Sequence, residues 1–501
     1  MLHPRIKKLP ELQACFPPGV FQALRAVAMD CGVKVYLVGG TIRDWLMGDR
    51  LPGDIDLTID GGAHRFCRSL IAQLGGGAFV PLGTEKEEAS RVAWQGLDID
   101  VSSFRRGACT IEEDLALRDF TINSLAVPLA LVFKDGEGDL LDPLSGMADL
   151  EAGVIRHGPR AFVDDPLRLL RTFRFMVSLG FEVSPDTFRE VSLHANKIDK
   201  VAAERIGYEL ELILSARNGG DGFWQMHKSG LLHHLLPELY EGDGLEQPGF
   251  HHLDVFHHNF QALREMEHLL SRPDFGYPGH ENRFAAYLTD QGRAGNLKWA
   301  ALLHDVGKPT ASDDSKKEPG RVTFYGHDEI GSRLVEHIGM RFKWSNEQRL
   351  QVGHLVAMHM HPFHLCTTMK KQGLTKRAAL KLCARAGDHL QGLFLLAMAD
   401  SMASKGELKP ENIELELIAL YDEVITIYDR DIEPVLACKP LMTGNDLIVS
   451  FGLKPGPQFS VILKELQALQ IEGVVKNRGD AFRWVNCYVK ENKQTKDGRE
   501  Q

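Results

Sequence analysis

Asp54 and Asp56 stand in Gly53-Asp54-Ile55-Asp56-Leu57-Thr58, downstream of the run Leu37-Val38-Gly39-Gly40-Thr41-Ile42-Arg43-Asp44. Residues i and i+2 of a strand share a face, so the two carboxylates project side by side. Carboxylates held that close repel each other unless a cation lies between them. Mg²⁺ prefers oxygen ligands and binds through one or two carboxylates together with substrate phosphates. The glycine pair Gly39-Gly40 permits close backbone approach to a phosphate at a helix start. Asp100, in the alternating Leu97-Asp98-Ile99-Asp100-Val101, offers the third carboxylate that two-metal in-line displacement uses. Taken singly, a Gly-Gly pair is ordinarily a turn and Asp-x-Asp a solvated strand edge. Their order along this chain points to metal-dependent phosphoryl or nucleotidyl transfer.

A second group of chemical residues is centred on His304-Asp305, which ends the apolar run Ala300-Ala301-Leu302-Leu303. His257-His258 lie upstream; His327, His354, His359 and Asp400 lie downstream. A lone histidine in a helical region is ordinarily structural. An adjacent His and Asp can share a metal when distant helices bring another His and Asp, and mixed imidazole and carboxylate ligands suit Mn, Fe, Ni or Zn-like ions.

The elements that must position these residues change character along the chain. Strand candidates are Lys34–Val38, Ile55–Ile59, Arg91–Trp94, Leu97–Val101 and Leu125–Leu131. Residues 1–150 therefore read as a mixed sheet with helices, an α+β region. Residues 151–240 turn helical, with Leu167, Leu170 and Phe173 set among regularly spaced arginines. Ser215–Gly222 reads as a turn or hinge. Residues 250–405 are histidine-rich and mostly helical, interrupted by a polar, glycine-containing loop around Ser271–Asn296. Residues 406–501 are helical with a turn at Lys454-Pro455-Gly456-Pro457, and the polar tail from Lys490 is expected to fray.

Composition narrows the function classes. The chain has 501 residues, 44% hydrophobic and 25% charged, as ordinary globular domains have. No apolar stretch spans a bilayer, and the basic, proline-broken Met1–Leu9 has no apolar signal core, so a cytoplasmic location is expected. The eight cysteines form no CxxC pair, which argues against a disulfide framework or zinc knuckle. A net charge of −10 excludes a general polycation while leaving room for a local basic groove.

Further motifs carry a resemblance. They are LRDFTINSLA around Arg118, Asp119 and Asn123; DPLSGMADL from Asp142; DDPLRLLRTFRF with Asp165, Arg168, Arg171 and Arg174; and ERIGYEL from Glu204. With GGTIRDWLMGDRLPGDIDLTID they resemble the bacterial class II tRNA nucleotidyltransferases, the CCA-adding and poly(A) polymerase family with a polymerase-β-like head. The resemblance implies that Asp54 and Asp56 hold Mg²⁺, that Gly39, Gly40 and Arg43 cradle the triphosphate, and that Arg118, Asp119 and Asn123 contact sugar and phosphates. It implies that Asp165 and Arg168 pair with the nucleotide's Watson–Crick edge, with Arg171 and Arg174 nearby. Cytosine and adenine each offer an amino donor and a ring-nitrogen acceptor there, which a carboxylate and a guanidinium match.

The implied partners are the tRNA 3′ end and CTP or ATP, with the oligomeric state left open. His258, His304, Asp305 and Asp400 match an HD phosphohydrolase pattern, with His327 and His359 available to a second metal of the Mn, Ni or Zn kind. The resemblance implies a head at 1–150, a nucleotide-recognition and RNA-binding neck at 151–240, an HD domain at 241–405, and a C-terminal tRNA-contacting region at 406–501.

Three departures from the family pattern stand out. Asp164 replaces the usual Glu, Leu117 replaces one of a paired arginine, and the gap between Arg105 and Ile111 is short. The short gap resembles enzymes that add only the two cytidines, a reading that stands beside CCA, terminal A and poly(A) addition. The rival readings are an HD phosphohydrolase with a vestigial head, and an RNA-binding chaperone without activity.

Overall fold

The computed structural model describes residues 5–6, 9–48, 53–82, 88–134, 138–247, 249–290, 292–312 and 323–497. The basic N-terminal stretch, apart from residues 5–6 and Leu9, and Pro52 of the return into the second strand lie outside them. The chain divides into two compact units, Met1–Pro237 and Glu238–Gln501.

The first unit is built on a mixed six-stranded sheet. Its elements include helix α1 (Val20–Cys31), strand β1 (Val35–Val38), helix α2 (Gly39–Met47), strand β2 (Ile55–Ile59) and helix α3 (Ala63–Leu74). Strands β3 (Ala78–Pro81), β4 (Ala89–Trp94), β5 (Leu97–Ser103) and β6 (Ala126–Pro128) complete the sheet in the order β3-β4-β5-β2-β1-β6. Only β2 and β5 run parallel; every other neighbouring pair is antiparallel. The parallel register sets Asp56 beside Asp100, and the antiparallel register sets Asp100 beside Arg91. Alternation explains the two faces: Ile55, Leu57, Ile99, Val101 and Val92 are buried in the core with Phe66 and Leu70 of α3, while the aspartates face away from it. Beyond the sheet, helices α4 (Arg168–Leu179) and α5 (Ala203–Ser215) complete what bears on the site.

The second unit is helical. Helices α6 (Val255–Ser271), α7 (Arg293–Leu303), α8 (His327–Arg341), α9 (Asn346–Met358) and α10 (Leu390–Ala403) carry its chemical residues. Helix α10 is buried nearly all round, from Leu390 to Ala403, as a central helix must be. A separate small cluster of Met442, Leu447, Ile462, Leu466 and Val485 holds the C-terminal helices. Among the described residues no helix is long and apolar enough to cross a membrane.

Several sequence expectations are corrected. The strand expected over Leu125–Leu131 stops at Pro128 and gives way to a 3₁₀ turn over Leu129–Phe133. Proline has no N–H to extend a ladder, and it is tolerated here because β6 is an edge strand. Edge strand β3 has no alternating pattern, being mostly exposed, and was not expected. The turn expected at Ser215–Gly222 is largely the start of a helix, Gly219–Lys228. Its glycines serve close packing: a Cβ on Gly219 would lie 2.6 Å from the Ile213 carbonyl oxygen, and one on Gly222 would lie 2.7 Å from the Ile213 side chain. The loop expected at Ser271–Asn296 contains a helix, Glu281–Leu288, anchored by buried Phe284 and Tyr287. The tail expected to fray from Lys490 continues a helix, Arg478–Asp497, whose residues 490–497 include no glycine or proline.

Candidate active site

Asp54 sits just before β2 and Asp56 within it. Asp56 Oδ2 accepts the Gly40 backbone N–H at 2.7 Å. The Thr41 hydroxyl accepts the Asp56 N–H at 2.6 Å and donates to the Asp54 carbonyl at 3.1 Å. Gly39 takes a left-handed φ of +60°, and a Cβ on Gly39 or Gly40 would lie 2.9 or 3.0 Å from Asp56 Oδ2. The glycine pair therefore makes room for a carboxylate, and the Gly40 N–H expected to face a phosphate is turned to Asp56. Burial raises the Asp56 carboxyl above the ordinary range, against the lowering effect of Arg118, and Asp100 adds to the rise. Asp54 is likewise raised by burial and by Asp100. Both oxygens of Asp100 are taken by Arg91, at 2.7 and 2.8 Å.

A chain of polar contacts leads from this site into α4. Arg43 donates to Asn123 Oδ1 at 2.7 Å, and the Asn123 amide donates to Asp119 Oδ1 at 3.1 Å. Asp119 Oδ2 accepts both Nε and Nη2 of Arg171, at 3.0 and 2.5 Å. Arg174 lies 2.9 Å from buried Glu209 of α5, a contact close enough for ion pairing but not aligned for a hydrogen bond. The guanidinium carbons of Arg43, Arg171 and Arg174 stand 5.2, 5.2 and 4.4 Å from the centre of the Phe175 ring, so one aromatic ring gathers three cations. Arg118 donates to buried Asp114 at 3.3 Å; burial, with Arg105 beside it, pushes its guanidinium down to about 10.

Asp165 and Arg168 open α4. Asp165 Oδ1 accepts the Leu167 N–H at 3.1 Å and Oδ2 accepts Arg205 Nη2 at 2.8 Å. Asp164 is held by Arg106 at 2.6 Å and Arg160 at 3.3 Å, rather than by Arg168. A cleft of about 650 Å³ is lined by Gly39, Gly40, Arg43, Asp54, Asp56, Asp100, Arg118, Asp119, Asn123, Asp165, Arg168, Arg171 and Arg174. The candidate catalytic and nucleotide-binding residues named from the sequence thus meet around one cleft.

In the second unit four imidazoles surround one carboxylate. His258 Nε2 lies 3.1 Å from His304 Nε2 and 3.0 Å from Asp400 Oδ1. Asp305 Oδ2 lies 3.3 Å from His304 Nε2, while its Oδ1 lies 3.4 and 3.6 Å from Nε2 of His327 and His359. The Nδ1 atoms of His304, His327 and His359 lie 2.9, 2.7 and 2.7 Å from the carbonyls of Ala301, Phe324 and Val356. A carbonyl only accepts, so each Nδ1 carries the proton and each Nε2 of a neutral ring is a bare lone pair. The Nε2 atoms of His327 and His359 nevertheless face each other at 3.2 Å, beside an Asp305 Oδ1 that is buried without a donor. Three converging acceptors need a cation between them. This donor set fits a divalent ion, and His258, His304 and Asp305 form a second such group. Burial lowers the His304 imidazole, but Asp305 and Asp400 outweigh it and raise the group to about 10, so without a metal ion His304 Nε2 carries a proton, which a bound ion would displace. His354 stays outside the cluster, its ring 6.2 Å from that of His389.

The comparisons with known proteins follow the same division. A family described as Poly A polymerase head domain matches residues 35–156. One described as Probable RNA and SrmB- binding site of polymerase A matches 180–241, and the HD domain family matches 280–425. The A-adding tRNA nucleotidyltransferase of Deinococcus radiodurans is 33% identical over 91% of this chain and 95% of its own length. This chain belongs to the tRNA nucleotidyltransferase family. The CC-adding tRNA nucleotidyltransferase of Thermus thermophilus is 30% identical over 89% of this chain and 91% of its own. The solved Thermotoga maritima CCA-adding enzyme in complex with tRNA shares the fold, with a TM-score of 0.64 and 20% identity over 98% of this chain and 100% of that one. As a tRNA nucleotidyltransferase the chain is an enzyme, and its head and HD domain together imply dependence on divalent metal.

Sequence reasoning missed several residues of this tRNA nucleotidyltransferase. Thr41 lies inside the glycine motif, but its hydroxyl contacts depend on the turn. Arg91 and Glu209 are brought in only by strand register and helix packing. His251 sits with His258 and Asp400, its ring 4.3 Å from that of His258; the crowd of neighbouring histidines concealed it. Lys308 donates to Asp305 and, at 2.5 Å, to Gln247. It stands three residues beyond Asp305 on the same turn, which is the signal that would have found it.

Proposed function

We propose that the head cleft is the catalytic centre and that it adds cytidylate to the 3′ end of tRNA. The observation that carries this reading is the meeting of Asp54, Asp56 and Asp100 with Asp165 and Arg168 around one cleft. In this reading residues 1–150 are the head, 151–240 the recognition and RNA-binding neck, 241–405 the HD domain and 406–501 a tRNA-contacting region. Asp54 and Asp56 would hold Mg²⁺, which when bound neutralises triphosphate charge and makes the RNA 3′-hydroxyl a better nucleophile. Gly39 and Gly40, having no side chains, leave room for Asp56 and let the backbone cradle the triphosphate, and Arg43, with the buried Arg118, supplies positive charge. Asn123 and Asp119 hold Arg43 and Arg171 in place. Asp165 accepts from the exocyclic amine of the base and Arg168 donates to its ring nitrogen. Uracil and guanine would set a carbonyl against the carboxylate and leave groups unpaired.

Nucleotide choice rests on the connection 104–110. It is a single 3₁₀ turn and its flanks, pinned by Arg105 on Asp114 at 2.9 Å and Arg106 on Asp164 at 2.6 Å. A pocket bordered by a short, tethered connection has little scope to change from a one-ring to a two-ring base, which supports addition of cytidines alone. Terminal A addition is the second reading, favoured by the likeness to the A-adding relative. The test is incorporation of labelled CTP or ATP into tRNAs ending before C74, after C75 and after A76. CTP use that stops after two residues, with no ATP use, is expected; a single A on the CC end means terminal A addition, or complete CCA addition if CTP is used as well, and a long A tract means a poly(A) polymerase.

The HD cluster is proposed to hold two divalent ions of the Mn, Ni or Zn kind and to hydrolyse phosphate esters at RNA ends. His258, His304, Asp305 and Asp400 would hold one ion, and His327 and His359 the second, with Asp305 shared. The support is the convergence of bare acceptors described above. Metal-dependent release of phosphate from RNA ends, lost in His304→Ala, is the expected result.

A further inference from the structure

The third carboxylate of the head is not free. Strand order β4-β5-β2 and the two registers place Arg91, Asp100 and Asp56 in a row across one face. Arg91 grips Asp100 with Nε at 2.7 Å and Nη2 at 2.8 Å, and reaches Asp98 with Nη1 at 2.7 Å. This is a two-pronged pairing of the strongest hydrogen-bonded kind. It lies at the cleft rather than in the core: the Arg91 and Asp100 side chains are 36% and 27% exposed. A sheet in need of a cross-strand pair gains little from an ion pair so placed. The charge at that position matters more to whatever binds beside it. Asp54 and Asp56 both feel Asp100 as a like charge, and Asp54 feels Arg91 as a compensating one.

We infer that Arg91 is a tethered counter-ion that occupies Asp100 in place of a divalent cation, so that metal binding at Asp54 and Asp56 recruits Asp100 only as Arg91 releases it. The inference rests on the proposed reading of Asp54 and Asp56 as metal-holding residues. Arg91 is a positioning residue here: it touches Asp100 and acts through it. A cation seated among the three carboxylates would stand against the guanidinium, and the two positive charges compete for the same lone pairs. The arrangement weakens metal binding to the empty head and leaves full occupancy to the moment when a nucleotide brings its own phosphate ligands.

The test is Mn²⁺ binding by the full-length protein in the absence of nucleotide, followed by the fall of the free-ion EPR signal. The HD cluster also binds the ion, so the head's share is the binding that Asp54→Ala/Asp56→Ala removes. Arg91→Ala is expected to tighten that share about fivefold, the scale of an exposed ion pair set free. Arg91→Lys, which keeps the charge and loses the fork, is expected to fall between. The gain should vanish without its carboxylate, so that Asp100→Asn and Arg91→Ala/Asp100→Asn bind alike. Equal or weaker binding by Arg91→Ala overturns the inference, as does a gain that survives Asp100→Asn, since that would be long-range charge alone. If no variant shows binding that depends on Asp54 and Asp56, the underlying reading of the metal site falls as well.

Discussion

The head cleft and the HD cluster hold the same kinds of charge in opposite states. In the head, Asp54 and Asp56 are raised above the ordinary carboxylate range by burial and by Asp100. In the HD cluster, Asp305 and Asp400 are more deeply buried yet held well below that range, because His304 with Lys308, and His258 with His304, outweigh the burial. The head site is an open cleft flanked by arginines; the HD site is closed, with His258, His304 and His359 fully buried. A site whose carboxylates are under-compensated suits an ion that arrives with a polyphosphate. A site with its own imidazole shell suits an ion that stays.

The sharpest way to break this comparison is to remove one site and read both activities. Asp54→Ala/Asp56→Ala is expected to lower nucleotide incorporation by at least about a thousandfold, the several kcal/mol that metal-borne charge stabilisation supplies, while leaving phosphate release intact. His304→Ala is expected to do the reverse. Incorporation and hydrolysis assays on the same preparations check both, and loss of both activities in either variant would mean that the two sites are not independent. A smaller effect is expected at Asp165 and Arg168, the proposed base-reading pair. Arg168→Ala should cost CTP about 2–3 kcal/mol in kcat/KM, roughly 30-fold to 150-fold, and narrow the margin over UTP. An equal loss for CTP and UTP would assign Arg168 to phosphate binding instead.

Legibility in the sequence followed the range of the interactions. Asp54, Asp56 and the glycine pair were readable because strand alternation and the Gly-Gly turn are local rules. The motifs that carry the family resemblance are likewise contiguous, so the resemblance alone names Arg118, Asp119, Asn123, Asp165 and Arg168. Arg91 was not, because its partner Asp100 is set by antiparallel register, and a register shift by one residue would have turned it away. Glu209 was missed for a related reason: a buried glutamate on α5 is a defect in an apolar stripe until Arg171 and Arg174 of α4 are packed against it. The helix at Gly219–Lys228 was hidden by glycines whose local preference is for turns. They were required by a neighbouring backbone that no local pattern records.

The mildest prediction concerns Asp119, which joins the two halves of the cleft. Burial raises its carboxyl, but Arg171 and Arg168, with the amide of Asn123, lower it well below its ordinary 3.8. A group whose folded value is depressed contributes stability that is present above the unfolded value and is lost as pH falls through the folded one. Asp119→Asn should therefore be less stable than the parent at pH 7 by about 1.5 kcal/mol, the worth of a charge-assisted hydrogen bond. The gap should begin to close only below about pH 4, where the unfolded chain's aspartate takes up its proton. Thermal unfolding from pH 7 to pH 3 measures this directly. A gap that stays constant across that range would mean that the contacts of Asp119 Oδ1 with the Asn123 amide and with the Phe120 N–H, at 2.9 Å, which an asparagine can partly keep, matter more than the charge on Arg171. The basic side of the cleft would then be held by packing against Phe175 rather than by Asp119.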